Sequence, residues 1–151
     1  MKKIINITLI IILSLVLVGC NRAESPKVGS ISNQEINDNY VVTLETKEGS
    51  LTRSGLTLIL ENHSEYVYIY GQSYLIEYFN DGKWHALIPI NDMNFLMIGI
   101  LLQPNEIAEI LVGWDYHYGK LHNGKYRVIK SVTRDGENSE RIVLAAEFVI
   151  E

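Results

Sequence analysis

The chain has 151 residues, a formal charge of −5 at pH 7, and a single cysteine among 47% hydrophobic residues. An acidic body without clustered Lys and Arg excludes nucleic acid as its partner, because phosphate rewards clustered cations. One cysteine excludes an internal disulfide, so the fold must rest on its apolar core.

At the start of the chain, Lys2 and Lys3 precede an apolar run of fifteen residues, Ile4 to Val18, which ends at Gly19 and Cys20. A basic n-region, a short apolar h-region and a small residue before the cut are the order of a secretory signal. A membrane-spanning helix needs roughly 20 apolar residues. This run is shorter and carries Asn6, Thr8 and Ser14. The tetrapeptide Leu17-Val18-Gly19-Cys20 resembles a bacterial lipobox. That resemblance implies cleavage before Cys20 and a thioether-linked diacylglyceryl group on its sulfur. Residues 1–19 are therefore read as a lipoprotein signal peptide and Cys20 as the lipidation site. Removing them takes away Lys2 and Lys3 and no acid, so the formal charge falls by two, from −5 to −7. An acidic body is not drawn to anionic lipid, and two acyl chains suffice for stable anchoring. The expected location is the extracytoplasmic face of the cell membrane.

Residues 20–39 are read as the lipidated cysteine and a flexible linker. Asn21 to Asn39 has no aromatic residue and many Ser, Asn and Glu, too little apolar surface to offset the entropy of ordering. As a flexible chain it would reach roughly 25 Å root-mean-square.

From residue 40 the pattern becomes period two, broken by turn residues. Tyr40 to Thr46 is rich in β-branched residues and ends at Glu48-Gly49-Ser50. Gly55 to Glu61 places Leu56, Leu58 and Leu60 on one face. Tyr74 to Phe79 and Lys83 to Ile88 flank Asn80-Asp81-Gly82, a hairpin signal because both turn positions want positive φ. Glu106 to Trp114 puts Ala108, Ile110, Val112 and Trp114 on one side. Lys125 to Val132 and Arg141 to Ile150 form a last pair, the latter with Ile142, Leu144, Ala146, Phe148 and Ile150 on one face. About seven short strands, with turns every 8–12 residues, predict an all-β fold over residues 40–151, an antiparallel β-sandwich. A closed barrel is the competing arrangement. The Tyr126 that follows Asn123-Gly124 at a strand start fits a tyrosine corner, with Val128 where antibody-type domains put a cysteine.

The segments Asn62-His63-Ser64, Tyr70-Gly71, Leu102-Gln103-Pro104-Asn105-Glu106 and Trp114-x3-Tyr118-Gly119-x-Leu121-x2-Gly124-x-Tyr126-Arg127 resemble a bacterial immunoglobulin-like domain family of small Gram-positive lipoproteins and secreted proteins. The resemblance covers Val41 to Ile150. It implies an immunoglobulin-like sandwich and an extracytoplasmic setting, with no catalytic residue to carry over.

Two stretches could meet a partner. Tyr66, Tyr68 and Tyr70, if in one strand, share a face, and a row of aromatic rings suits a sugar, a peptide or a protein. It suits equally a sheet surface stabilised by cross-strand aromatic pairs. With Trp114, Tyr116 and Tyr118 these are the candidate partner-binding residues. Met93 to Leu102, M-N-F-L-M-I-G-I-L-L, is apolar on both faces. Burial between the sheets is the expectation, since large exposed patches are rare on monomers; an exposed Met93–Leu102 would instead dock on a membrane-complex partner.

Chemistry is thin. Asp115 and His117 would share a strand face, but a metal site needs three or four ligands, so no metal and no cofactor is expected beyond the lipid on Cys20. No G-x-S-x-G or free thiol supports nucleophilic catalysis. A carboxylate pair such as Glu77 with Glu109 leaves an envelope carbohydrate hydrolase as a remote alternative. The reading is a non-enzymatic, lipid-anchored immunoglobulin-like binding module with a protein or cell-wall glycan partner.

Overall fold

A computed structural model describes residues 27–37, 41–137 and 139–151. The signal peptide, Cys20 and the first part of the linker lie outside the described residues. Ten strands run through the described chain: β1 Val28–Ile31, β2 Val42–Thr46, β3 Gly55–Asn62, β4 Tyr68–Tyr70, β5 Leu75–Asn80, β6 Lys83–Leu87, β7 Ile100–Leu102, β8 Ile107–Gly113, β9 Gly124–Arg134 and β10 Arg141–Ile150. One helical turn, Asp115–Tyr118, follows β8.

The strands form two antiparallel sheets. The smaller has the order β2-β3-β8. In the larger, β10 pairs with β9 along its whole length. The other edge of β9 is shared: Tyr126–Ile129 pairs with β5, and Val132–Arg134 with β4. Beyond β5 lie β6 and β1, and beyond β4 lies β7. The β5–β6 hairpin turns at Asp81 and Gly82, with φ of 50° and 75°, as the Asp-Gly signal requires.

Alternation decides what faces inward. Leu56, Leu58 and Leu60 of β3 are buried, as are all five stripe residues of β10, Ile142 to Ile150. The sheets are joined by stacked aromatics instead of a disulfide. The Trp114 ring, at the end of β8, lies 5.2 Å from that of Phe148, which is 5.6 Å from Tyr126. The indole N–H of Trp114 donates to the Arg53 carbonyl at 2.9 Å. Tyr126, fully buried, donates its hydroxyl to the His122 carbonyl at 3.0 Å, which is the tyrosine corner. Gly124 leaves room for this packing, since a Cβ there would sit 2.6 Å from the Tyr78 ring.

The linker expectation is corrected over its described part. Val28–Ile31 pairs with β6, and the chain then crosses the outer face of the larger sheet to reach β10. Its contacts are polar, which is why composition hid them: the Ser32 amide donates to the Trp84 carbonyl, and Asn37 exchanges two bonds with Val143. The Ser32 hydroxyl donates to Glu77. Glu77, 1% exposed, also accepts a 2.6 Å bond from Arg127 directly across the β5–β9 pair. The Arg127 guanidinium lies 4.4 Å over the Trp84 ring. This strap thus covers a buried ion pair.

Candidate interaction surface

Between β6 and β7 the chain leaves the sheet for twelve residues, 88–99. The Ile88 amide donates to the Lys27 carbonyl at 2.9 Å and the Ile90 amide to the His117 carbonyl at 2.7 Å. Asn91 donates its side-chain amide to the Tyr116 carbonyl at 2.6 Å. Phe95 pins the segment to the domain, its ring 5.3 Å from Tyr74 and 5.4 Å from His117. Past this pin, Leu96, Met97 and Ile98 turn outward, with Met97 fully exposed and Leu96 66% exposed. The Ile98 amide returns to the Leu96 carbonyl at 2.9 Å, closing a tight turn at the tip. In β7, Leu101 is exposed while Leu102 is wholly buried.

Leu102 is buried and Phe95 packs half-buried against the core, while Leu96 to Leu101 are exposed, so the expectation that Met93–Leu102 is buried between the sheets is corrected. The physical reason is topological. The strand β7 adds to the edge of β4, where one neighbour is missing, and the segment before it spans the gap from the end of β6 around the sheet's rim.

Two clefts of about 310 Å3 each adjoin Phe95. One is floored by Leu75 and Ile129 and rimmed by Gln34, Ser131 and Arg141. The other lies between Gly71–Ser73 and Leu96–Gly99. The break between β4 and β5 that shapes both is held by Lys130, whose ammonium donates to the Gly71 and Ser73 carbonyls at 2.8 and 3.0 Å. Lys130 alternates with Val128 and Val132 on the core-facing side of β9 and is 2% exposed. Burial lowers its pKa to about 8.

That shift has a signed consequence. Between pH 8 and about 10 the unfolded chain holds the Lys130 proton more tightly than the folded one, so stability rises with pH across this window. The gain is on the order of 3 kcal/mol. Above pH 10 the trend reverses, because burial pushes Tyr74 and Tyr126 up to about 12 and the unfolded tyrosines ionise first. Urea unfolding at pH 7.5, 9 and 10 is expected to show the rise in the wild-type protein and a flat profile in Lys130→Met. A rise that survives in Lys130→Met contradicts the assignment.

The tyrosine row does not form. Tyr66 lies outside β4, half exposed, with the Arg134 guanidinium 3.4 Å over its ring. Tyr68 is 4% exposed and Trp114 fully buried, both in the core. As candidate partner-binding residues these two are corrected, because the inward side of β4 and the end of β8 face the opposite sheet. Tyr70 and Tyr118 are half-buried against the same core. Tyr116 is exposed and borders the 88–99 segment. Asp115 and His117 sit in the helical turn and not on a strand, which removes the shared face expected of them. Glu77 and Glu109 lie on opposite outer faces of the sandwich, Glu77 paired with Arg127 and Glu109 with Lys47 at 2.7 Å. They cannot flank one glycosidic bond.

The two-sheet order, the corner at Tyr126 and the Trp114 stack define an immunoglobulin-like sandwich. A family model described as Bacterial Ig-like domain matches residues 36–149. The chain belongs to this bacterial Ig-like family. Comparison with curated proteins and with solved structures gives no match. The family match begins inside the strap, after β1, so Val28–Ile31 lies outside the matched region. Ig-like domains of this kind are interaction modules, generally without catalytic activity.

Proposed function

We propose that this Ig-like domain is a lipid-anchored, extracytoplasmic interaction module that engages its partner through the apolar segment Phe95–Leu101. The observation that carries this reading is the outward display of Leu96, Met97 and Ile98 beyond the Phe95 pin. Contiguous exposed apolar side chains mark interaction sites on soluble domains, and a methionine adapts to the surface it meets. The lipid rests on the lipobox-like Leu17-Val18-Gly19-Cys20. The buried Tyr68 and Trp114 weigh against a reversible sugar-binding platform of tyrosines.

Two measurements test the reading. Growth with a radiolabelled fatty acid is expected to mark the wild-type protein and not Cys20→Ser; a wild-type protein that takes up no label contradicts the anchor. Chymotrypsin, which cuts after Phe, Leu and Met, is expected to cleave the purified protein within 95–101 and to spare that segment on isolated membranes. Equal cleavage in both contradicts a segment engaged in the cell.

A further inference from the structure

We propose that the surface engaged by Leu96–Ile98 is the lipid bilayer itself, at the boundary between headgroups and acyl chains. The proposal rests on the anchoring reading of Cys20.

Geometry comes first. Seven peptide steps separate Cys20 from Lys27, a reach of at most about 25 Å when fully extended. Because β1 is docked on the sheet, the leash is far shorter than the whole polar segment before residue 40. The docked chain also enters at a particular place. Val28 lies opposite Leu87, and the Lys27 carbonyl accepts the amide of Ile88, the first residue of the 88–99 connection that leads to the exposed tip. The lipid tether and the exposed segment therefore leave the domain at the same end of β6, opposite the Asp81-Gly82 turn.

The chemistry of the tip agrees. No charged residue occurs from Met93 to Asn105, and the exposed Ile88, Ile90 and Tyr116 lie beside the segment's root. An apolar point with a tyrosine at its margin matches the layering of a bilayer interface, where tyrosine settles at headgroup level. The acidic body gives no attraction to anionic lipid, so contact must come from apolar insertion, to a depth of about 5–10 Å. Two acyl chains already retain the protein. The loop's part is orientation, with the clefts beside Phe95 turned toward the membrane and the Asp81-Gly82 hairpin away from it.

The test uses the mature lipidated protein, with a polarity-sensitive nitrobenzoxadiazole label at Met97→Cys or, as the distal control, at Asp81→Cys. It is reconstituted into phosphatidylglycerol–phosphatidylethanolamine vesicles carrying spin-labelled acyl chains as quenchers. The expected result is flotation of both proteins with the vesicles and severalfold stronger quenching at 97 than at 81. Flotation with equally weak quenching at both positions overturns insertion and leaves anchoring intact. Failure to float, with a wild-type chain that takes the label on a free Cys20 thiol, overturns the anchoring reading and this proposal together. A label at 97 that leaves water only when solubilised membrane proteins are added overturns the bilayer and assigns the face to a protein.

Discussion

Arg127→Ala is expected to destabilise the domain by about 3–5 kcal/mol, because it leaves the Glu77 carboxylate buried without its charge partner. Glu77 is 1% exposed and its Oε2 is held by Arg127 at 2.6 Å. The Ser32 hydroxyl, its remaining partner, supplies one neutral hydrogen bond in place of a guanidinium. The stacking of Arg127 on Trp84 is lost as well, which adds about 1 kcal/mol at a partly covered site. Urea unfolding of the purified protein at neutral pH measures the loss as a lower midpoint. The double change Glu77→Met with Arg127→Met is expected to cost much less, since apolar groups of similar volume can replace a buried pair without an orphaned charge. A loss below about 1 kcal/mol in Arg127→Ala would mean that water reaches Glu77 and that the strap does not seal it.

Trp114→Ala carries an effect of similar size from a different cause. The ring is fully buried between the sheets and stacks on Phe148. Truncation costs about 3–5 kcal/mol through lost apolar contact and the cavity left behind. It also leaves the Arg53 carbonyl without the indole N–H. Trp114→Phe restores most of the packing but not that bond, so it should fall between wild type and alanine. Thermal unfolding followed in the far ultraviolet separates the three proteins. A Trp114→Ala midpoint equal to that of the wild type would contradict the view that an aromatic stack takes the place of a disulfide here.

Much of the fold was legible wherever one face of a strand is buried and the other wet. The leucines of β3, the five-residue stripe of β10 and the Asp81-Gly82 hairpin announce themselves by period and turn chemistry. Tyr126 and its bond to the His122 carbonyl were legible too, because a corner needs a small number of residues at fixed spacing. The strap was not. Val28–Ile31 and the chain after it are held by backbone pairing, Ser32 and Asn37, and polar composition reads the same whether such bonds form or not.

The interaction surface was half legible. Uniform apolarity over Met93–Leu102 marks the stretch as unusual, but period two cannot distinguish a strand buried on both faces from a loop that displays its side chains. Only the position of β7 at an open sheet edge decides it. For the tyrosines the difficulty is reversed. Alternation places Tyr68 and Tyr70 on one face correctly, yet whether that face is core or surface depends on where β4 joins β9. Lys130 did leave a signal: a lysine interrupts the inward stripe Tyr126-Val128-Val132, and a charge at such a position must find partners.

The central claim is that Leu96–Ile98, and not a row of tyrosines, meets the partner in the cell. Cys20 is the chain's only cysteine, and in the proposed lipid-anchored form its sulfur carries the lipid, so a thiol placed at Met97→Cys or Asp81→Cys reports alone. Intact cells are treated with a membrane-impermeant maleimide, alongside the purified proteins in solution. Both thiols are expected to be modified rapidly in solution, and on cells rapid modification is expected at 81 with strong protection at 97. Equal modification at the two positions on cells would contradict it.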